Sequence, residues 1–465
     1  MKIASASLTY HRETEMSQLH ELSRRTFLRR AGVTAVLGAV GTRPNPAGAQ
    51  GLPATSSRQT FDFDEIYDRR GSESIKWDRP IEGVQEVIEV GMGIADMDFR
   101  AAPCITDALA RRCEHENWGY LERPDSYTQA IVEWNQRRYG LEIDPNSIEL
   151  TSGVHSGLIA ALRTFSPPGS SVLMNTPTYD GFYNFELRFT RTVAEESEMQ
   201  VVDGRYQVDW DDFERRAGRA NVFLLCNPQN PTGNCWSEEE LLRMGEICLR
   251  HRVIVLADEI HCDFVTAGNR YTPFASLPDR EIVDNSLTFK GVSKSFSLAA
   301  MKAAWYFSTN LDLLERVRSN TRVDLSTLGM EANRAALIEG DDWLDQLLPY
   351  IDANHDFVEA YLRDNVPSVK YTKAQGTYLA WLDVSELAER VGAHDMAVVE
   401  SRTSASVVTA EQIMQRWFGN HARIYLNPGS AYGTGGSGHM RMNIATSRLL
   451  IQKALDNIAA AVAMA

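Results

Sequence analysis

Between residues 148 and 307, short apolar runs alternate with longer stretches whose apolar positions recur every three or four residues. The runs "SIELTSG", "SVLMNTPTY", "NVFLLCNPQNPTG", "RVIVLADEI", "NSLTFKGVSK" and "MKAAWYFST" end in Gly, Pro or polar turns, and this predicts strands. Between them, "VHSGLIAALRTF" has helical spacing, and "SEEELLRMGEICLRH" opens with a serine cap and an acidic first turn. Strands alternating with helices predict an α/β domain built on a parallel sheet with right-handed crossovers. After about residue 325 the pattern turns helical. Two strand-like segments, "GTYLAWLDV" and "RIYLNPG", and a helix from Ser447 complete a second, α+β domain. Three stretches break the pattern. Residues 50–95 are polar and read as an arm, 392–412 as an inserted loop, and "GTGGSG" at 433–438 as a flexible turn.

The first 49 residues have a different order: a basic block (Arg24, Arg25, Arg29, Arg30), a short apolar run from Ala31 to Val40, then Ala47-Gly48-Ala49. That order predicts a signal peptide cleaved after Ala49. Its Ser23–Leu28 string, "SRRTFL", resembles a twin-arginine export signal, with a periplasmic or otherwise exported destination. The apolar run is too short to span a bilayer, so no stable membrane anchor is expected. The domain boundaries expected are 1–49 signal, 50–95 arm, 96–325 large domain and 326–465 small domain. The formal net charge of the 465-residue chain is -15, which argues against nucleic acid as a partner. Six cysteines in a long chain make no disulfide scaffold, and their spacing does not pair them. With no CxxC and no His cluster at zinc spacing, no metal is expected.

The chemistry gathers where strands end. One strand ends at Gly153-Val154-His155, others at Tyr179, at Asn230 within "NPQNPTG", at Asp258 and at Lys294. Ligands of open α/β sheets sit beyond the carboxyl ends of the strands. A helix N-terminus, an aromatic, an amide, a carboxylate and a lysine at one edge suit a phosphorylated, cationic heterocycle with an aldehyde. Pyridoxal phosphate is such a ligand.

From about residue 60 onward the chain resembles the fold-type I pyridoxal-phosphate enzymes of the class I/II aminotransferase superfamily. Within them it is similar to the MalY/PatB-like cystathionine β-lyase branch. The strings that carry the resemblance are "IADMDF", "WGY", "TPTYDGFY", "CNPQNPTGNCWSEEEL", "ADEIHCDFV", "SKSFSLAAMK", "GTYLAWLD" and "RMNIA". It implies a large domain with a mainly parallel seven-stranded sheet between helices, plus the smaller C-terminal domain. It also implies that Lys294 carries the cofactor as a Schiff base and then acts as acid and base at the substrate Cα. Asp258 would bond the pyridine N–H, Asn230 and His261 the phenolic oxygen, and Tyr179 would stack on the ring. Gly153, Val154, His155, Ser293 and Lys302 would hold the phosphate. Tyr120 of "WGY" would reach across from a partner subunit of a homodimer. Arg441 would grip the substrate carboxylate, with Ala95 and Tyr378 lining the substrate pocket.

The chain departs from the branch at Ser297, where Asn is usual, and at Ala300, where Gly is. At Gly291 many relatives carry a phosphate-binding Ser. The implied substrate is a small amino acid. The implied reaction is carbon–sulfur β-elimination of cystathionine or a cysteine S-conjugate to pyruvate, ammonia and a thiol. The alternative is transamination of an amino acid or of a secreted peptide natural product such as a siderophore, since both reactions use the same residues.

Overall fold

The computed structural model describes residues 59–465; the expected export signal lies outside the described residues. Seven strands form the central sheet: β1 Ile148–Thr151, β2 Ser171–Thr176, β3 Val193–Glu198, β4 Ala220–Cys226, β5 Ile254–Asp258, β6 Ser286–Lys290 and β7 Ala304–Phe307. Their spatial order is β1-β7-β6-β5-β4-β2-β3. β4 and β5 are nearly continuous apolar runs, and every residue of β6 is buried, because helices cover both faces of the sheet. One face packs on Val154, Leu158 and Leu162 of the helix Val154–Phe165. The other packs on Phe213, Leu241, Met244 and Ile247.

Most neighbours are parallel, but β7 runs antiparallel to both β1 and β6. Parallel return requires a long crossover, usually a helix. The connection at 291–303 forms turns and one 3₁₀ segment, Ala299–Met301, so the chain returns in the opposite direction.

Toward the C-terminus, β8 Leu379–Asp383, β9 Asn427–Pro428 and β10 His439–Asn443 make an antiparallel sheet in the order β8-β10-β9. It packs with the helices Asp341–Asn365 and Arg448–Met464 in a core of its own.

Three segments differ from the sequence reading. The expected arm contributes Val90–Gly91, which pairs in parallel with Ile424–Tyr425. The stretch read as an inserted loop contains the helix Ala393–Ser401, and at Ala410 another helix begins. Only Ala393 and Ala397 of the first are buried, while Met396, Val398 and Val399 are exposed, so no apolar stripe announced it. The "GTGGSG" turn is packed: Gly436 lies backbone to backbone against Gly429, and Thr434 Oγ1 meets Thr176 Oγ1 at 2.6 Å. Among the described residues, no helix is long and apolar enough to cross a membrane.

Candidate active site

The carboxyl ends of β2, β4, β5 and β6 open on one cavity of about 440 Å³. Every residue expected to hold the cofactor lines it except Tyr120. The parallel register sets Cys226, the last residue of β4, beside Asp258, the last of β5. Lys294 follows β6 after a turn, and its Nζ donates to the Ala95 carbonyl at 2.8 Å.

Gly153 caps the helix Val154–Phe165 at φ +137°, in backbone space that side chains rarely adopt, and among the described residues no side chain caps that helix end. The helix therefore presents uncapped N–H groups and the positive end of its dipole toward the cavity. Ser293 and Lys302 line the same cavity, and Lys302 holds a left-handed φ of 53°.

Burial raises the Asp258 carboxyl from its ordinary 3.8 to about 7, against a backbone hydrogen bond from Ile260 and the opposite charges of His155 and Lys294. Burial lowers the Lys294 amine to about 8; the nearby Arg441 charge lowers it further, against the pull of Asp96, Asp258 and Asp180. His261 is held well below its usual value by burial and then by Lys294 and Arg441. A neutral lysine near physiological pH is a nucleophile and a base, which an ordinary surface lysine is not.

Arg441, on β10, is 2% exposed. Its Nη1 donates to Asn230 Oδ1 at 3.2 Å and its Nη2 to the Gly93 carbonyl at 2.9 Å. The segment carrying Ala95 is pinned from behind. Lys76 Nζ bonds Asp98 at 2.7 Å and the Asp96 carbonyl at 3.0 Å; Arg69 bonds both aspartates, and Asn443 Nδ2 bonds the Ile94 and Asp96 carbonyls. Ala95 thus enters the site through its carbonyl. Tyr378 is fully buried, and its hydroxyl donates to that same carbonyl at 2.9 Å, so it stands behind the site instead of on its wall. Tyr120 is fully exposed and lies beside a separate cleft with Trp118, Arg123 and Arg322.

Two of the departures acquire a physical reason. Ser297 holds a left-handed φ of 55°, a conformation that Asn tolerates well, and its Oγ accepts from the Met97 amide at 3.1 Å. At Gly291 a Cβ would lie 3.1 Å from that of Ala304, so a serine there would crowd β7. Sequence reasoning missed Cys226 and Phe185 on the cavity wall, and Glu186 beneath it. The matched ends of β4 and β5 could have revealed Cys226; no signal reveals the other two.

The model of the family of class I and II aminotransferases matches residues 87–458. The chain belongs to that family. It is 35% identical over 411 residues to cystathionine β-lyase PatB of Bacillus subtilis, a match covering 86% of this chain and 100% of the relative. The fold is that of the pyridoxal-phosphate-dependent aminotransferases. A PLP-bound putative aminotransferase from Clostridium difficile superposes with a TM-score of 0.78 at 29% identity, covering 87% of this chain and 100% of that one. A PLP-bound C-S lyase from Staphylococcus hominis gives 0.75 at 28%, covering 86% and 99%.

The residues present fit the cofactor of this family. Among the described residues, His261 Nδ1 and Arg441 Nε are buried without a hydrogen-bond partner, and the only hydrogen bond to the Asp258 carboxylate comes from the Ile260 amide. A buried acid and unpaired polar atoms are costly unless a polar ligand meets them. A cationic ring nitrogen answers the first, and oxygens of the ring and substrate the others.

Proposed function

We propose that the protein is a pyridoxal-phosphate-dependent carbon–sulfur β-lyase. Its substrate would be an α-amino acid with a sulfur substituent on Cβ, such as cystathionine or a cysteine S-conjugate, and its products pyruvate, ammonia and a thiol. The observation that carries this reading is the Lys294 amine, brought near neutrality in one cavity with buried Asp258, Asn230 and His261 and within the field of Arg441. The full-length similarity to a cystathionine β-lyase favours elimination over transamination.

When bound, pyridoxal phosphate supplies a protonated ring that withdraws electrons from the substrate's Cα. Asp258 would hold the ring nitrogen, its carboxylate keeping that proton in place. Tyr179 would cover the ring face, while Asn230 and His261 would serve the ring oxygen. The N–H groups at Gly153, Val154 and His155, with Ser293 and Lys302, would hold the phosphate. Arg441 takes the substrate carboxylate in a charge-assisted contact and so fixes which Cα bond points at Lys294. Lys294 removes the Cα proton, and the thiolate then leaves from Cβ. The Ala95 carbonyl and, behind it, Tyr378 shape the substrate side.

The reading includes a homodimer in which Tyr120 completes the partner's site. The exposed Trp118, Tyr120 and Leu121 beside a cleft of about 620 Å³ support it. It also includes export by the twin-arginine route, supported by Arg24-Arg25 and the apolar run that follows. A reporter fused to residues 1–60 should reach the periplasm, and one with both arginines replaced by lysine should stay in the cytoplasm; a cytoplasmic unmodified fusion contradicts export.

The function is tested by supplying the purified holoprotein with L-cystathionine and following products. Pyruvate and thiol formed without any keto acid support the lyase. Turnover that requires a keto-acid acceptor assigns the protein to transamination instead.

A further inference from the structure

His155 was expected to contribute its backbone N–H; its side chain does something else. The ring lines the cavity, and Nδ1 lies 2.6 Å from Glu186 Oε1. Glu186 is completely buried, and among the described residues its second oxygen has no hydrogen-bond partner. His155 is thus the sole side chain that bonds this carboxylate among the described residues. On its other edge, His155 Nε2 lies 3.4 Å from the Tyr179 hydroxyl, for which no other partner exists among the described residues. The two rings stack at 5.7 Å and 29°, and Phe185 closes on His155 edge-on at 5.0 Å.

The backbone is built for this contact. Phe182–Leu187 is a π-helical turn, whose extra residue turns Glu186 inward while Phe185 and Arg188 remain exposed. Such turns concentrate at functional sites. Burying a carboxylate against one half-exposed imidazole is an expensive way to hold a helix and a good way to hold a charge.

We propose that His155 is a cofactor-positioning residue: clamped by Glu186, its ring orients Tyr179 against the cofactor and sets a positive charge in the cavity that Asp258 lines. Burial works against the imidazolium, but the Glu186 hydrogen bond and charge, with Asp258, outweigh burial and the Lys294 charge and raise His155. Burial also pushes the Glu186 carboxyl up, against His155. The geometry joins the pair: His155 Nδ1 faces Glu186 Oε1 at 2.6 Å, and the same ring lines the cavity that Asp258 also lines.

The inference rests on the pyridoxal-phosphate reading, and the test separates the two. Apo-protein is titrated with pyridoxal phosphate, following intrinsic fluorescence and the visible absorption of the bound cofactor. A wild-type protein that does not bind overturns the cofactor reading itself. Given wild-type binding, the isosteric E186Q and the ring-preserving H155F should each weaken affinity on the order of tenfold, the loss of one charge-assisted hydrogen bond. Both should move the visible band. The double variant should lose no more than H155F alone, because Glu186 acts through His155. If H155F does not fold, H155Q takes its place in the cycle. Affinities within about twofold of wild type, an unmoved band, or losses that multiply in the double variant overturn the proposal.

Discussion

Lys294 and Asp258 carry opposite consequences of the same burial. The amine is lowered to about 8, so the nucleophilic form is scarce below that pH. Loading of pyridoxal phosphate onto apo-protein, followed by stopped-flow absorption, should accelerate about tenfold per pH unit up to about 8 and then level off. Arg441→Gln removes a charge that lowers the amine, so the break should move to higher pH; an unmoved break would mean that Arg441 is not coupled to Lys294. Asp258 is raised from 3.8 to about 7, so the folded carboxyl holds its proton where the unfolded one has lost it. Stability of the cofactor-free protein should therefore fall as pH rises from about 4 to about 7, by an amount on the order of a few kcal/mol. Asp258→Asn should flatten that slope in thermal denaturation while weakening cofactor binding. Lys294→Ala should lower turnover by at least ~10²-fold, as expected for a lost general base.

The helix Val154–Phe165 is the element on which the site leans. Its Gly157 packs against the Phe289 ring of β6, where a Cβ would sit 3.0 Å from the ring. Gly157→Val should lift the helix N-terminus off the sheet, costing about 1–3 kcal/mol of stability by overpacking. It should also weaken cofactor phosphate binding, measured by thermal denaturation and by titration with pyridoxal phosphate; unchanged affinity would show that the helix does not hold the phosphate.

The strands that frame this helix were legible because strands buried on both faces leave uninterrupted apolar runs such as "VIVLAD", and their ends delivered Asp258 and Lys294. What stayed illegible has physical causes. The direction of β7 depends on the geometry of its connection, which hydrophobic pattern does not encode. The helix Ala393–Ser401 buries two alanines and exposes its larger residues, which erases the periodic signal. Glu186 reads as one more solvated acid until the π-helical turn rotates it inward, and Tyr378 reads as a pocket wall until its hydroxyl is seen on Ala95.

The whole molecule brings a question of stoichiometry, since Tyr120 is fully exposed and does not line the cavity of its own chain. If it completes a partner's site, Lys294→Ala and Tyr120→Ala protomers should complement each other. Half of a randomly mixed population would be hybrids with one intact site each, giving about a quarter of wild-type activity. No recovery on mixing would place Tyr120 outside the partner's site. Beneath these questions lies the assignment of Lys294 as the residue that bonds the cofactor, and it has a direct measurement. The purified holoprotein is reduced with borohydride, digested and mapped by mass spectrometry. A pyridoxyl-phosphate mass on the peptide bearing Lys294, absent from Lys294→Ala, is the result expected. Label on Lys302 or Lys290, or no label at all, would contradict the account.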